Sequence, residues 1–253
     1  MVNLKLFSLN RFKLICYFIL FINIFGVNCG LKAVSLTYGI TVCTEAEELK
    51  RLLKQISANL DDEDMIIIQV DESNTTKDVD EVIKQFKKLL SDSQFYIIYK
   101  SLDGNFGEFK NNLLKYAGEK KGDFLFFLDA DEYLSEPLAK SLKWYLYNYN
   151  DVDGLKLARA NYYVNLDQYP EQKKALAGGI DSMGRFLYMD EKLRIVNLKN
   201  PKIKYCGRVH EEIEGCEKVL MLPYEPGNCW ELIHVKTYEK QLKQNDLYSK
   251  IMK

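Results

Sequence analysis

Residues 123–132 read Asp123-Phe124-Leu125-Phe126-Phe127-Leu128-Asp129-Ala130-Asp131-Glu132. A short apolar run ends abruptly in three carboxylates within four residues. Such a run fits a strand buried on both faces, as in a parallel sheet. The acids then fall at the strand's carboxyl end, where open α/β sheets place their ligands. Crowding three like charges is costly unless cations offset them. A hard divalent ion, Mn2+ or Mg2+, suits oxygen ligands of this kind and is commonly shared with a phosphate. The competing explanation is an acidic helix start, where carboxylates favour the helix dipole.

A second strand, Met65–Val70, ends in Asp71, followed by Glu72-Ser73-Asn74. In a parallel sheet Asp71 and Asp129 would share one edge. Asp71 suits hydrogen bonding to a base or ribose, or an ordinary Asx turn. The chain has two histidines. His210 stands in Gly207-Arg208-Val209-His210-Glu211-Glu212, and His234 in Trp230-Glu231-Leu232-Ile233-His234-Val235-Lys236. Both are flanked by charge in the less regular half of the chain, so each is a candidate for ligand work as well as for a structural hydrogen bond.

The elements that must position these groups alternate along the first 150 residues. Strands are expected at 38–43, 65–70, 95–99 and 123–128. Helices are marked by Leu49, Leu52, Leu53 and Ile56, by Val79 to Leu90, by Phe106 to Ala117 and by Leu138 to Tyr147. Thr44 is the expected cap of the first helix, with Glu45, Glu47 and Glu48 in its first turns. Alternating strands and helices imply a doubly wound, mostly parallel sheet. Thr44-Glu45-Ala46-Glu47 follows the first strand, where a phosphate-binding glycine loop would stand. That argues against a dinucleotide-binding site or a P-loop. Past residue 150 a mixed region of strands and loops is expected to form the other wall of a site.

The matching pieces resemble a family 2 glycosyltransferase of the GT-A fold. They are ITVCTEAEELKRLL, IIIQVDESNTT, FGEFKNNLLKYA, GDFLFFLDADEYL, LRIVNLKNPKIKYCGRVHEEI and WELIHVKTYEKQLKQNDLY, spanning roughly residues 38–248. The LDADE and GRVHEE segments are the most specific. The resemblance implies an inverting, metal-dependent transfer of a sugar from a nucleotide diphosphate to an acceptor hydroxyl. It places Thr44 and Glu45 at the border of the nucleotide, Asp71 on the base, and Asp129 near the ribose or the metal. Asp131 would coordinate Mn2+ or Mg2+, with His234 as a further ligand. His210 would sit on the acceptor side. Glu211 is the expected general base, with Glu212 and Asp190 behind it. Lys110-Asn111 stands where the family usually has Arg-Asn, which keeps the charge beside the diphosphate and loses the bidentate fork.

Composition bounds the alternatives. The 253 residues are 47% hydrophobic and 28% charged, with net charge −1, ordinary for a globular chain and unfavourable to a nucleic-acid partner held by bulk charge. The acceptor class, glycan, lipid or protein, is left open. Two rival classes are a nucleotidyltransferase, which would normally carry a Gly-rich basic loop after the first strand, and a zinc-stabilised binding module built from Cys206, His210, Cys216, Cys229 and His234, whose spacings match no common zinc pattern. A third is a degenerate transferase that only binds sugar, against which the intact acidic cluster argues.

Residues 1–30 stand apart. Lys5, Arg11 and Lys13 precede an apolar stretch over residues 14–27. It is short of the ~20 residues a bilayer span needs and suits a signal-peptide core, or a membrane anchor, ahead of one transferase domain at 31–253. A buried N-terminal element is the competing explanation. The expected location is secretory or membrane-associated, with cytoplasmic as the alternative. The sequon Asn74-Thr75-Thr76 lies in the loop assigned to ligand binding, which weighs against a glycosylating lumen.

Overall fold

The computed structural model describes residues 34–175, 179, 185, 190–223 and 230–252; the 1–30 segment and Cys229 lie outside them. Residues from Val34 onward form one compact unit.

Its first half alternates as expected: β1 (Leu36–Val42), α1 (Ala46–Ser57), β2 (Met65–Asp71), α2 (Lys77–Lys87), β3 (Phe95–Lys100), α3 (Phe106–Glu119) and β4 (Phe124–Asp129). A short β5 (Glu132–Leu134) and α4 (Glu136–Asn148) follow. β3, β2, β1 and β4 lie side by side and parallel. Period-two alternation sends side chains of these strands to opposite faces. Phe124, Phe126 and Leu128 pack with Ile66, Ile68, Leu49 and Leu52 on one face. Leu125 and Phe127 pack with Ile67, Leu113 and Ala117 under α3 on the other. That two-sided burial is why β4 reads as an unbroken apolar run.

Two local expectations fail. Thr44 does not cap α1. Glu45 takes the cap position, and its carboxylate folds back to accept the backbone N–H groups of Cys43, at 3.0 Å, and Thr44, at 2.9 Å. The second helix ends at Lys87, short of Leu90, and Leu89 is exposed. Its start is capped by Thr76, whose hydroxyl accepts from Val79 N–H.

The second half is more regular than expected. β6 (Gly154–Val164), β7 (Asp190–Asn197), β10 (Val219–Met221) and β11 (Glu231–Thr237) extend the sheet, with the short α5 (Pro170–Ala175) between β6 and β7, and α6 (Tyr238–Ile251) follows. The order is β3-β2-β1-β4-β7-β6-β11-β5, with β10 also paired to β6. β7 runs antiparallel to both β4 and β6, while β11 is parallel to β6. β8 (Lys204–Cys206) and β9 (Glu212–Glu214) form a separate hairpin. His234 therefore sits on a sheet strand, where an irregular segment was expected. Among the described residues no helix is long and apolar enough to cross a membrane.

Candidate active site

β2, β1 and β4 are neighbours, so Asp71, Cys43 to Glu45, and Asp129 to Asp131 meet at one sheet edge. The chain supplies most of the charge that offsets the acids. Lys110, buried on α3, sits 3.5 Å from Asp129, and Arg194 on β7 sits 3.3 Å from it. The Thr41 hydroxyl donates to Asp129 at 2.9 Å. Burial opposes ionisation of Asp129, but Lys110, Arg194 and Thr41 outweigh it and hold its pKa well below the usual carboxylate range. Burial likewise opposes charge on Lys110, yet Asp129, Tyr205 and Glu211 keep its pKa raised. Glu132 is fully buried and serves as an anchor: it accepts from Arg194, from Arg159 at 3.4 Å and from the Asp129 N–H at 3.1 Å.

Asp131 faces a different set. His234 Nε2 lies 3.4 Å and Lys240 Nζ 3.1 Å from its Oδ2. Burial pushes the Asp131 pKa up, while His234 and Lys240 bring it below the ordinary value. A chain of contacts fixes the imidazole. Asp190 Oδ2 accepts from the Asn161 amide at 3.2 Å, which turns Asn161 Oδ1 toward His234 Nδ1 at 2.9 Å. With Nδ1 turned to Asn161, Nε2 is the ring nitrogen that faces the Asp131 carboxylate. A ligating histidine held through its other nitrogen is the usual arrangement at metal sites.

This pair fits one cation but does not enclose it. Among the described residues, no three His, Cys, Asp or Glu side chains are gathered to hold a metal. Mg2+-type ions are commonly held by one or two protein ligands plus substrate phosphates. Asp129 is engaged by Lys110, Arg194 and Thr41, and Asp131 by His234 and Lys240. The zinc module finds no support: Cys206 and Cys216 are free thiols, and Cys216 is bonded to the Asp153 carbonyl at 3.8 Å.

The GRVHEE segment is the β8–β9 loop. Asn111 on α3 grips β8 through both backbone groups of Tyr205, at 2.8 and 2.9 Å. Phe106 N–H donates to the Arg208 carbonyl at 2.8 Å. A Cβ at Gly107 would stand 2.3 Å from the Gly207 carbonyl, so glycine is needed for this approach. His210 has φ of 56° and is exposed; its ring meets Tyr248 of α6 edge-on at 5.4 Å. Glu211 turns inward to Lys110, 2.8 Å away. Glu212 is exposed on β9. Asp190 is taken by Arg159, at 2.9 and 2.6 Å, and by Lys192 at 3.2 Å.

At the end of β1 Thr44 is exposed, and Glu45 reaches Lys240 at 3.5 Å. Asp71 is saturated by its own loop together with Leu102, beyond β3, and Cys43, beyond β1. Its oxygens accept from Ser73 N–H at 3.3 Å, Leu102 N–H at 3.1 Å, the Asn74 amide at 2.8 Å and the Cys43 thiol at 3.7 Å. Sequence reasoning missed Arg194, Arg159, Asn161, Lys236 and Lys240. Period-two spacing was the available signal: Arg159 and Asn161 share a face of β6, and His234 and Lys236 a face of β11.

Known structures share this architecture. The crystal structure of S. aureus TarS superposes with a TM-score of 0.51 at 13% identity, over 85% of this chain and 39% of TarS. TarS 1-349 in complex with UDP gives a TM-score of 0.50 at 12% identity, over 86% of this chain and 65% of that one. The likeness shows the GT-A fold, and this chain spans under two thirds of either relative. No curated protein sequence matches it. The family model for glycosyl transferase family 2 matches residues 38–208, from β1 into the β8–β9 loop. That span covers both acidic strand ends and most of the chain, and the chain belongs to glycosyl transferase family 2.

Proposed function

We propose that the protein is a metal-dependent, inverting transferase that moves a sugar from a nucleotide diphosphate to an acceptor hydroxyl. The observation that carries this reading is the Asp131–His234 pair, at 3.4 Å, with the imidazole oriented through Asn161 and Asp190. Mn2+ or Mg2+ held there would offset the charge that develops on the diphosphate leaving group.

The remaining roles fall to groups fixed by the fold. Thr44 and Glu45 border the nucleotide at the end of β1. Asp71 orders the β2–α2 loop, and a base N–H would reach it by displacing the weak Cys43 thiol donor. Asp129, pinned by Lys110 and Arg194, presents a fixed carboxylate edge to the ribose side. On the acceptor side Glu211 is the general base, taking the hydroxyl proton as the nucleophile attacks from the face opposite the leaving group. Lys110 holds Glu211 and Asp129 on one ammonium, so the two sides of the reaction are registered to each other. Asp190, bound twice by Arg159, and Glu212, turned outward, are less available as bases. His210, on the exposed turn of the same loop, meets the acceptor. The acceptor is a glycan, lipid or protein hydroxyl, and residues 1–30 are a leader or anchor for a domain beginning near residue 31.

A donor screen tests the reading. UDP-, GDP- and dTDP-sugars are incubated with the protein, with Mn2+ or with excess chelator, and free nucleotide diphosphate is measured. Release from one donor in Mn2+ and its loss in chelator is the expected result. Release from none, or release indifferent to chelator, would sink it.

A further inference from the structure

Lys110, Arg194, Arg159, Lys192 and Lys240 each pair with at least one carboxylate at the strand ends. Lys236 does not. Among the described residues no carboxylate pairs with it, and its ammonium donates to the side-chain oxygen of Gln244 at 2.5 Å. The lysine is only partly exposed. It lies two residues beyond His234 on β11, so both side chains leave the same face of the sheet. Its charged neighbours are Asp131 and Asp129, which attract it, and Arg159 and Lys240, which repel it.

A half-buried ammonium with one neutral partner has given up water without gaining an anion. One acceptor on Gln244 leaves two of its three N–H donors to be satisfied by other groups. A sugar hydroxyl would satisfy a donor but leave the charge uncompensated. A phosphate oxygen would do both, and lysine is a common point-charge partner for phosphate. Gln244, on α6, fixes where that charge stands.

We propose that Lys236 is a donor-binding residue whose ammonium takes an oxygen of the nucleotide's diphosphate beside Asp131. This rests on the reading of the protein as a nucleotide-sugar transferase. Lys240, 3.1 Å from Asp131, stands on the same side and adds to the positive field that a diphosphate would meet.

The test is calorimetric titration of the full-length protein with UDP and GDP, with uridine and guanosine as controls, in chelator and again in Mn2+. Lys236→Met is expected to weaken the nucleoside diphosphate that binds by at least tenfold. It should leave the matching nucleoside unchanged, and Lys236→Arg should stay within about threefold of wild type. Gln244→Leu, which frees the ammonium, should weaken the same diphosphate by about threefold. Unchanged diphosphate affinity in a Lys236→Met protein that melts normally would overturn the proposal. If that variant melts early, unchanged affinity in Gln244→Leu overturns it instead. Equal weakening toward nucleoside and diphosphate would also overturn it, since that marks a general loosening of the pocket. A wild-type protein that binds neither diphosphate removes the donor reading itself, a failure separate from the loss of Lys236 alone.

Discussion

The Lys110 ammonium lies 2.8 Å from Glu211 and 3.5 Å from Asp129, so one buried cation joins the β8–β9 loop to the acidic end of β4. A loop and a strand end far apart in sequence therefore share an electrostatic hinge pin. The carboxylate proposed as base and the carboxylate proposed for the donor side cannot move independently while that ammonium stays in place.

Glu211→Gln removes the acceptor of the nucleophile's proton and leaves the amide oxygen to hold Lys110. Turnover should fall by roughly 10²–10⁴, the usual range for a general base, with nucleotide affinity unchanged. Steady-state kinetics with the donor fixed and the acceptor varied check this. Wild-type turnover in the variant would return the base to Asp190 or Glu212. Lys110→Met should reduce turnover too, and it should also lower the melting temperature, because Asp129 and Glu211 are left without their shared cation.

Asp131→Asn removes the charged half of the proposed metal pair. An amide retains the size and loses the carboxylate, so Mn2+-dependent turnover should vanish while the far-ultraviolet circular dichroism spectrum stays the same. Asn161→Leu tests the same pair from behind. It cuts the bond that fixes the His234 ring and should cost about 10–100-fold in apparent Mn2+ affinity, read as the metal concentration for half-maximal turnover. An unaltered Mn2+ requirement in Asn161→Leu would mean that His234 does not act through Nε2.

How much of this was visible in the sequence differs sharply between the two halves. β4 declared itself because both of its faces are buried, and α1 because Leu49, Leu52, Leu53 and Ile56 fall on one face. β11 did not. Glu231, His234 and Lys236 interrupt its apolar pattern, and it becomes a strand because β6 pairs with it over seven residues. The cation balance of the site was equally hidden. Three clustered acids argued for a metal, whereas Arg194 and Lys110 come to Asp129 from elements 65 and 19 residues away in the chain, through a crossover no local pattern shows. Glu45 defeated the Thr44 cap because its longer side chain reaches two N–H groups at once.

Asp71 is the test of whether a strand-end acid serves its own loop or a ligand. Asp71→Ala would strip the acceptor from the Ser73 and Leu102 N–H groups and from the Asn74 amide, and should cost roughly 1–3 kcal/mol of stability in urea unfolding. Asp71→Asn keeps one oxygen and should cost less. If a base N–H also uses this carboxylate, calorimetry will show weaker nucleotide binding in Asp71→Asn at nearly unchanged stability. Equal affinity would leave Asp71 as a loop anchor alone.

Asp129 sets the behaviour in acid. Its pKa is lower in the folded protein than in the unfolded chain, because Lys110 and Arg194 outweigh the effect of burial. The stability it contributes is therefore fully present above the unfolded value, about 3.9, and is lost as the pH falls through the folded value below that. Between about pH 4 and pH 2 the unfolded chain binds the proton that the folded protein refuses, so the unfolding free energy should drop by up to about 1.4 kcal/mol per pH unit from this group. Asp129→Asn should flatten that part of the profile. At pH 7 the same variant should be less stable by roughly 1–3 kcal/mol, short of the loss at a fully buried pair because a third of the Asp129 side chain is exposed. Urea unfolding of both proteins from pH 6 down to the acid limit of reversibility measures the two slopes. Parallel profiles would show that Lys110 and Arg194 owe their positions to Glu132 and Glu211 and draw little from Asp129.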